Sequence, residues 1–234
     1  MGADTSNVTL TFNLLSSTGS QAAQFSISET VIAGWTGRDS EAVEKHVREL
    51  EKLGIKRPAS TPIFYRVAAV RLTTAGEIQV VGEKTSGEVE VVLLQQEGQL
   101  WVGVGSDHTD REVETYGVTV SKQVCDKPVA PVLWPYAEVV EHWDQLALRS
   151  YALMGNKKEL YQEGTVASLL PPADLIARYT QGASLPDGTL MFGGTLATLG
   201  DVQPSPRFEF ELEDPVLKRR ITHVYDIRTL PILG

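Results

Sequence analysis

The sequence has a single cysteine, Cys125, in 234 residues, which excludes an intrachain disulfide and a thiolate zinc cluster. It also lacks a basic excess. Its 21 Lys+Arg stand against 30 Asp+Glu, a formal net charge of −9. A chain of that sign is short of the clustered cations that neutralise phosphates or hold an anionic membrane surface. No apolar run approaches the roughly 20 residues of a spanning helix. Residues 1–7 are polar and have neither the basic nor the apolar region of a secretory leader. A soluble cytoplasmic protein with no nucleic-acid or membrane partner is therefore expected. The start Met1-Gly2-Ala3-Asp4-Thr5-Ser6 matches the myristoylation pattern. No polybasic patch follows to stabilise a single acyl anchor, so the match reads as chance. There is no internal repeat and no Gly-x-Ser-x-Gly elbow. Gly103-Val104-Gly105 lacks the third glycine and the following helix of a dinucleotide site.

What is present is an ordinary globular composition, 42% hydrophobic and 22% charged, sufficient for a sizeable core. Residues 7–15 place Val8, Leu10 and Phe12 on one face at period two, and residues 26–33 read as a second short strand. Asp39 or Ser40 caps a helix running to about residue 53, with Gly54 as its stop. Residues 61–105 read as valine-rich strands punctuated by glycine. Residues 128–135 read as a proline-marked connection and residues 136–151 as a helix. Residues 165–170 read as extended, and Pro171-Pro172 opens a short helix to about Tyr179. Residues 185–194, 208–212 and 220–227 read as strands. The class is β-rich α+β.

The most informative stretch is residues 86–114. Glu88 and Glu90 lie two apart in a valine-rich strand, so both carboxylates share a face. A two-residue turn at Glu97-Gly98 sets Gln96 opposite Gln99, Gly105 opposite Glu90 and Asp107 opposite Glu88. Three carboxylates then converge. Such a cluster calls for water, basic partners or a hard divalent cation such as Mg²⁺. A solvated, polar-outward strand face accounts for the same Glu-x-Glu spacing.

Collinear segments over residues 31–198 resemble the fumarylacetoacetate hydrolase superfamily in its single-domain bacterial form. Glu88-Val89-Glu90 resembles the family's Glu-x-Glu metal pair, and Ser106-Asp107-His108-Thr109-Asp110-Arg111-Glu112 resembles the segment whose first Asp completes the site. Ser121-Lys122 falls where the family has a Lys-Ser pair, followed by the proline-containing Pro128-Val129-Ala130-Pro131. Asp174-Leu175-Ile176 is similar to the family's glutamate-leucine-isoleucine helix. Phe192-Gly193-Gly194-Thr195 resembles the Gly-Thr ending that lines the substrate site. His46-Val47-Arg48-Glu49 keeps the His-x-x-Glu spacing of the lid dyad, which on a helix lets the carboxylate orient the imidazole. A routine ion pair on a half-buried surface helix fits the same spacing. The chain departs from the family in four places. His46 sits further from the Gly34 turn than the family's dyad histidine does. A short hairpin stands where relatives have a helix between the Glu-x-Glu strand and the Asp segment. Gly193-Gly194-Thr195 replaces Thr-Gly-Thr. The chain after Leu199, including Arg219-Arg220, has no counterpart. A divergent branch is implied.

The resemblance implies a mixed β-roll with few short helices. Strands and a lid-like helix over residues 1–60 would lead into a catalytic β-domain over residues 61–234, in one continuous unit. It implies a homodimeric, metal-dependent enzyme acting on a small 2-oxo or 1,3-diketo acid. The ion would bind the substrate's carboxylate and 2-oxo group and stabilise an enolate as a Lewis acid. Glu88, Glu90 and Asp107 would hold Mg²⁺ or Mn²⁺. Lys122 would face the developing oxyanion. His46, oriented by Glu49, would be the general base. Arg111, Gly194 and Thr195 would line the substrate site, although Arg111 by itself reads as a partner for Asp110 or a strand carboxylate. His108 reads as a neighbour of the ion rather than a ligand, and His142 and His223 as structural. A non-catalytic small-acid-binding or regulatory protein is the rival reading.

Overall fold

The computed structural model describes residues 7–52, 57–155 and 157–233. The chain opens with β1 (Val8–Ser16), β2 (Gly19–Ile27), β3 (Glu29–Gly34), helix α1 (Ser40–Lys52) and β4 (Ile63–Val67). The middle adds β5 (Leu72–Thr73), β6 (Glu77–Val81), β7 (Thr85–Ser86), β8 (Val89–Gln96), β9 (Gln99–Ser106) and β10 (Thr109–Asp110). Helices α2 (Arg111–Glu114) and α3 (Val118–Gln123) precede β11 (Lys127–Pro128) and β12 (Val132–Pro135). Then come β13 (Ala147–Met154), β14 (Lys157–Thr165), α4 (Pro172–Thr180), β15 (Thr189–Thr195), β16 (Arg207–Asp214) and β17 (Arg219–Leu230).

Two mixed sheets carry the structure. One has eight strands in the order β2-β1-β12-β9-β8-β15-β3-β4, the other five in the order β14-β13-β16-β17-β6. The larger sheet curls into a half-barrel, and the class is the β-rich α+β expected. Strand β8 shows why its valine run is continuous. Val89, Val91 and Leu93 pack toward Phe208, Phe210 and Leu212 of the smaller sheet. Val92 and Leu94 face the inside of the curl with Phe12, Phe25 and Phe192. A strand covered on both faces needs apolar residues at every position, and each such side chain contributes about 1.5–3 kcal/mol on burial. Glu90 shares the inward face with Val92 and Leu94, so folding carries a carboxylate to the rim of an apolar interior.

Several local readings change. Residues 26–33 hold the end of β2 and the start of β3, because β2 folds back on β1 as a hairpin before the chain crosses to β15. Residues 128–135 are not a plain connection: β12 pairs parallel with β1 and antiparallel with β9. Prolines survive there because they end the strands they belong to. Residues 136–151 form two 3-10 turns and then β13, not one helix. The buried Val139, Trp143 and Leu146 imitate helical spacing, but burial then alternates through Leu148, Ser150 and Ala152. Residues 165–170 contain a 3-10 turn at Val166–Ser168. Helix α1 is capped by Asp39, whose Oδ1 accepts from the amides of Glu41 at 3.0 Å and Ala42 at 3.1 Å. The expected stop at Gly54 lies outside the described residues. No described helix is long and apolar enough to cross a membrane.

Candidate metal centre

The β8–β9 hairpin builds the site. Glu97 and Gly98 both adopt positive φ, 53° and 73°, the geometry of a tight primed turn whose twist matches the strands. Gln96 then pairs with Gln99 and Glu90 with Gly105. Beyond the strand ends, the Asp107 amide donates to the Glu88 carbonyl at 3.0 Å. This is the register that the turn demands. Carboxylate oxygens of Glu88, Glu90 and Asp107 lie within 4.8 Å of one another. Asp107 is 0% exposed and Glu90 2%, so the polar-outward reading of this strand fails. Gly105 makes the crowding possible, since a Cβ there would stand 2.8 Å from Phe192 Cε1 and 2.9 Å from the Pro128 carbonyl.

Three cations answer the three carboxylates. Lys122, from α3, pairs closely with Asp107 Oδ2 and lies 3.7 Å from Glu88 Oε2. Lys127, from β11, stands 2.9 Å from Asp107 Oδ1 as an ion pair outside hydrogen-bonding alignment, and donates to the His108 carbonyl at 2.5 Å. Arg111 pairs with Glu88 Oε1 at 3.0 Å, with Glu114 at 3.0 Å and with Ser86 Oγ at 2.7 Å. Like charges this close are tolerated only with such compensation. Burial alone would raise Asp107, but the ammonium groups of Lys122 and Lys127 outweigh it and hold the carboxyl at about 2. Glu90 goes the other way: burial and the neighbouring Asp107 charge push it well above the usual carboxylate range. Burial would lower the Lys122 ammonium, yet the charges of Asp107, Glu88 and Glu90 hold it raised, so Lys122 is a fixed cation.

A layer of hydrogen bonds supports the strands that carry the three carboxylates. Burial, together with the charges of Lys127 and Arg111, pushes His108 down to about 3, so its imidazole is neutral. Its Nδ1 lies 2.9 Å from the Tyr225 hydroxyl and its Nε2 2.9 Å from Thr85 Oγ1. With both ring nitrogens engaged, His108 is a support and not a ligand. Gln162 joins the sheets. Its Oε1 accepts from the Val89 amide at 3.0 Å and from Ser150 Oγ at 2.8 Å. Its Nε2 donates to Thr195 Oγ1 at 2.8 Å and to the Leu196 carbonyl at 2.6 Å. His142 binds Asp214 and His223 faces the Ala75 carbonyl, both away from the carboxylates.

Of the residues expected from sequence, the structure brings Glu88, Glu90, Asp107, Lys122, Arg111, Gly194 and Thr195 together. It gives two of them, Gly194 and Thr195, uses not foreseen. The Gly194 amide donates to Glu90 Oε2 at 2.8 Å. The Thr195 hydroxyl donates to the Val89 carbonyl at 2.9 Å. Arg111 holds Glu88, the strand carboxylate its own chemistry pointed to. Glu49 is exposed on α1, with the Lys45 ammonium 4.0 Å away. The side chain of His46 lies outside the described residues. Sequence reasoning missed Lys127, Gln162 and Tyr225. The one signal on offer was a lysine set among apolar residues and prolines at 127.

Gly194 is open to a direct test. Its φ is +97°, and a Cβ would fall 1.8 Å from Thr36 Oγ1. Gly194→Ala is expected to cost about 2 kcal/mol or more in strain and to pull the amide away from Glu90. Thermal unfolding and calorimetric titration with Mn²⁺ should show both losses. Wild-type values for the two would show that the Gly194 amide does not position Glu90.

The donor set is all carboxylate, the chemistry a hard divalent cation selects, and the buried oxygens are close enough for one ion. The residues present therefore fit Mg²⁺ or Mn²⁺. Comparison with known proteins bears on the frame around them. Among solved structures, the chain is similar to yeast ynq8, a fumarylacetoacetate hydrolase family protein, at 17% identity and a TM-score of 0.63, over 88% of this chain and 95% of that one. It is similar to a 2-keto-3-deoxy-D-arabinonate dehydratase complexed with magnesium and 2,5-dioxopentanoate, at 16% identity and a TM-score of 0.62, over 87% and 74%. It is also similar to a 5-carboxymethyl-2-hydroxymuconate delta-isomerase from Mycobacterium smegmatis, at 12% identity and a TM-score of 0.63, over 92% and 82%. No curated protein matches the chain. The model of the family described as "Protein of unknown function (DUF2848)" matches residues 33–225, a span that holds every residue of the site. The chain thus belongs to the DUF2848 family, on a fumarylacetoacetate hydrolase fold.

Proposed function

We propose that this protein is a divalent-metal-dependent enzyme acting on a small 2-oxo acid or 1,3-diketo acid, by acylpyruvate-type hydrolysis, decarboxylation, or hydration and dehydration. The observation that carries the reading is the buried convergence of Glu88, Glu90 and Asp107. The magnesium-bound dehydratase with the same fold supports it. A bound Mg²⁺ or Mn²⁺ supplies Lewis acidity to substrate oxygens that coordinate it.

The chain's own residues do the rest. Lys122, locked as a cation beside Glu88 and Asp107, offers positive charge to an oxyanion developing nearby. Its raised pKa removes it from general-base work at neutral pH. Arg111 fixes Glu88 and would offer its guanidinium charge to an anionic substrate. Gly194 and Thr195 act as positioning residues, holding Glu90 and the start of β8. His46, on α1 with Glu49 three residues on, is assigned the proton transfer. The assignment follows from the spacing of the pair and from the other histidines, since His108 is engaged at both ring nitrogens and His142 and His223 bind elsewhere.

The test is a screen of acylpyruvates, oxaloacetate and 2-keto-3-deoxy sugar acids with added Mg²⁺ or Mn²⁺, read as loss of enol absorbance or of substrate. Metal-dependent turnover is expected, and His46→Ala should abolish it while leaving calorimetric metal binding unchanged. Metal and acid binding without turnover would identify a non-catalytic small-acid-binding protein instead. Identical titrations of wild type and Glu90→Ala would remove the metal centre altogether.

A further inference from the structure

Access to the three carboxylates is one-sided. Glu90 is 2% exposed and Asp107 0%, whereas the Glu88 side chain keeps 18%. A substrate therefore meets the centre from the side of Glu88. Arg111 covers that side, 3.0 Å from Glu88 Oε1, and it also lines a cavity of about 610 Å³. Lys84, Glu112, Glu114 and Tyr116 line the same cavity, with Val202 from the segment between β15 and β16. Lys84, Glu112, Tyr116 and Val202 have no part in the reading above.

The charges of this cavity are matched within it. Lys84 Nζ lies 3.4 Å from Glu112 Oε1, and Arg111 Nη1 lies 3.0 Å from Glu114 Oε2. A second carboxylate on the substrate would find no unmatched cation among the described residues that line the cavity. An apolar acyl chain fares no better. It would strip water from four charged groups and return no hydrogen bond to them. A hydroxylated chain suits the lining. Each hydroxyl both donates and accepts, so it can give its proton to Glu112 or Glu114 and accept from Lys84 or Arg111 without adding charge. Tyr116 is 84% exposed and Val202 50%, and together they offer apolar surface to the C–H face of such a chain.

We propose that this cavity is the subsite for the far end of the substrate, and that this end is an uncharged, hydroxylated chain. The substrate is then a 2-oxo acid of sugar type, not a dicarboxylic or alkyl diketo acid. Lys84, Glu112 and Tyr116 set that preference. The assignment rests on the metal-enzyme reading and narrows it.

Calorimetric titration of the full chain with Mn²⁺ present tests this. The probes are D-arabinonate, 2-hydroxyglutarate and 2-hydroxypentanoate, which share a 2-hydroxy-carboxylate head and chain length, differ in the tail and lack the reactive 2-oxo group. Wild type is expected to bind arabinonate about tenfold or more tighter than either of the others, as two or so net hydrogen bonds allow. Tyr116→Ala should weaken arabinonate binding without moving the affinity for Mn²⁺. Glu112→Lys takes the partner from Lys84 and adds a cation, and should turn the preference toward 2-hydroxyglutarate. Wild type that binds 2-hydroxyglutarate or 2-hydroxypentanoate as tightly as arabinonate overturns the proposal and leaves the metal centre standing. Wild-type ranking in both variants overturns it as well. Wild type that takes up no Mn²⁺ overturns the metal-enzyme reading, and this subsite with it.

Discussion

Glu90→Gln is expected to abolish divalent-cation binding while leaving the apoprotein at least as stable as wild type. The two effects part because Glu90 carries two burdens. It is a proposed ligand, and it is a buried acid whose ionisation is opposed first by burial and then by the Asp107 charge. Glutamine keeps the shape and an oxygen to accept the Gly194 amide, now 2.8 Å from Oε2. It removes the charge that a cation needs. Affinity for Mn²⁺ should fall by about 100-fold or more, a loss of about 2.8 kcal/mol. Thermal stability in chelator should hold or rise by about 1 kcal/mol, as expected when repulsion between close like charges is relieved. Calorimetry and thermal unfolding read the two quantities separately. Near-wild-type affinity in this variant would mean that no ion is gripped where the three carboxylates meet.

Lys127→Met should produce the largest stability loss. Lys127 is fully buried, and its ammonium serves both Asp107 Oδ1 and the His108 carbonyl. Methionine fills a similar volume without charge or donor. It leaves a buried carboxylate half compensated, a change that costs about 3–5 kcal/mol when one partner of a buried pair is removed. For a chain of this size that amounts to a fall in Tm of roughly 10 °C. A divalent ion should restore part of the loss, since it brings positive charge to the same carboxylate and stabilises whatever state binds it. Saturating Mg²⁺ should therefore raise the Tm of Lys127→Met more than that of wild type. A Tm within about 2 °C of wild type would show that Lys127 is dispensable to the charge balance around Asp107.

Much of this centre was legible because it is local. The positions of Glu88 and Glu90 follow from period two in a valine-rich strand, and that of Asp107 from a two-residue turn at Glu97-Gly98. The turn residue was a weak signal. Glu97 takes a positive φ that non-glycine residues rarely adopt, and the hairpin forms because apolar strands on either side fix the register. The helix over residues 136–151 failed for the opposite reason. Val139, Trp143 and Leu146 have helical spacing, but they are buried by two sheets and two tight turns rather than along one helix face. Local spacing cannot distinguish those cases when the burying partner is distant in sequence.

By itself the sequence determined that three carboxylates would meet on one hairpin, because strand period and turn length act over a few residues. Only the tertiary structure decided what meets them there. Lys122 arrives on α3, Lys127 on β11, the Gly194 amide on β15 and the Gln162 amide on β14, each from a segment with its own packing. No repeat or spacing ties those segments to the hairpin. Their meeting is set by how two sheets close over a shared interior, and charge balance in a buried site depends on every group that such closure brings within a few ångströms.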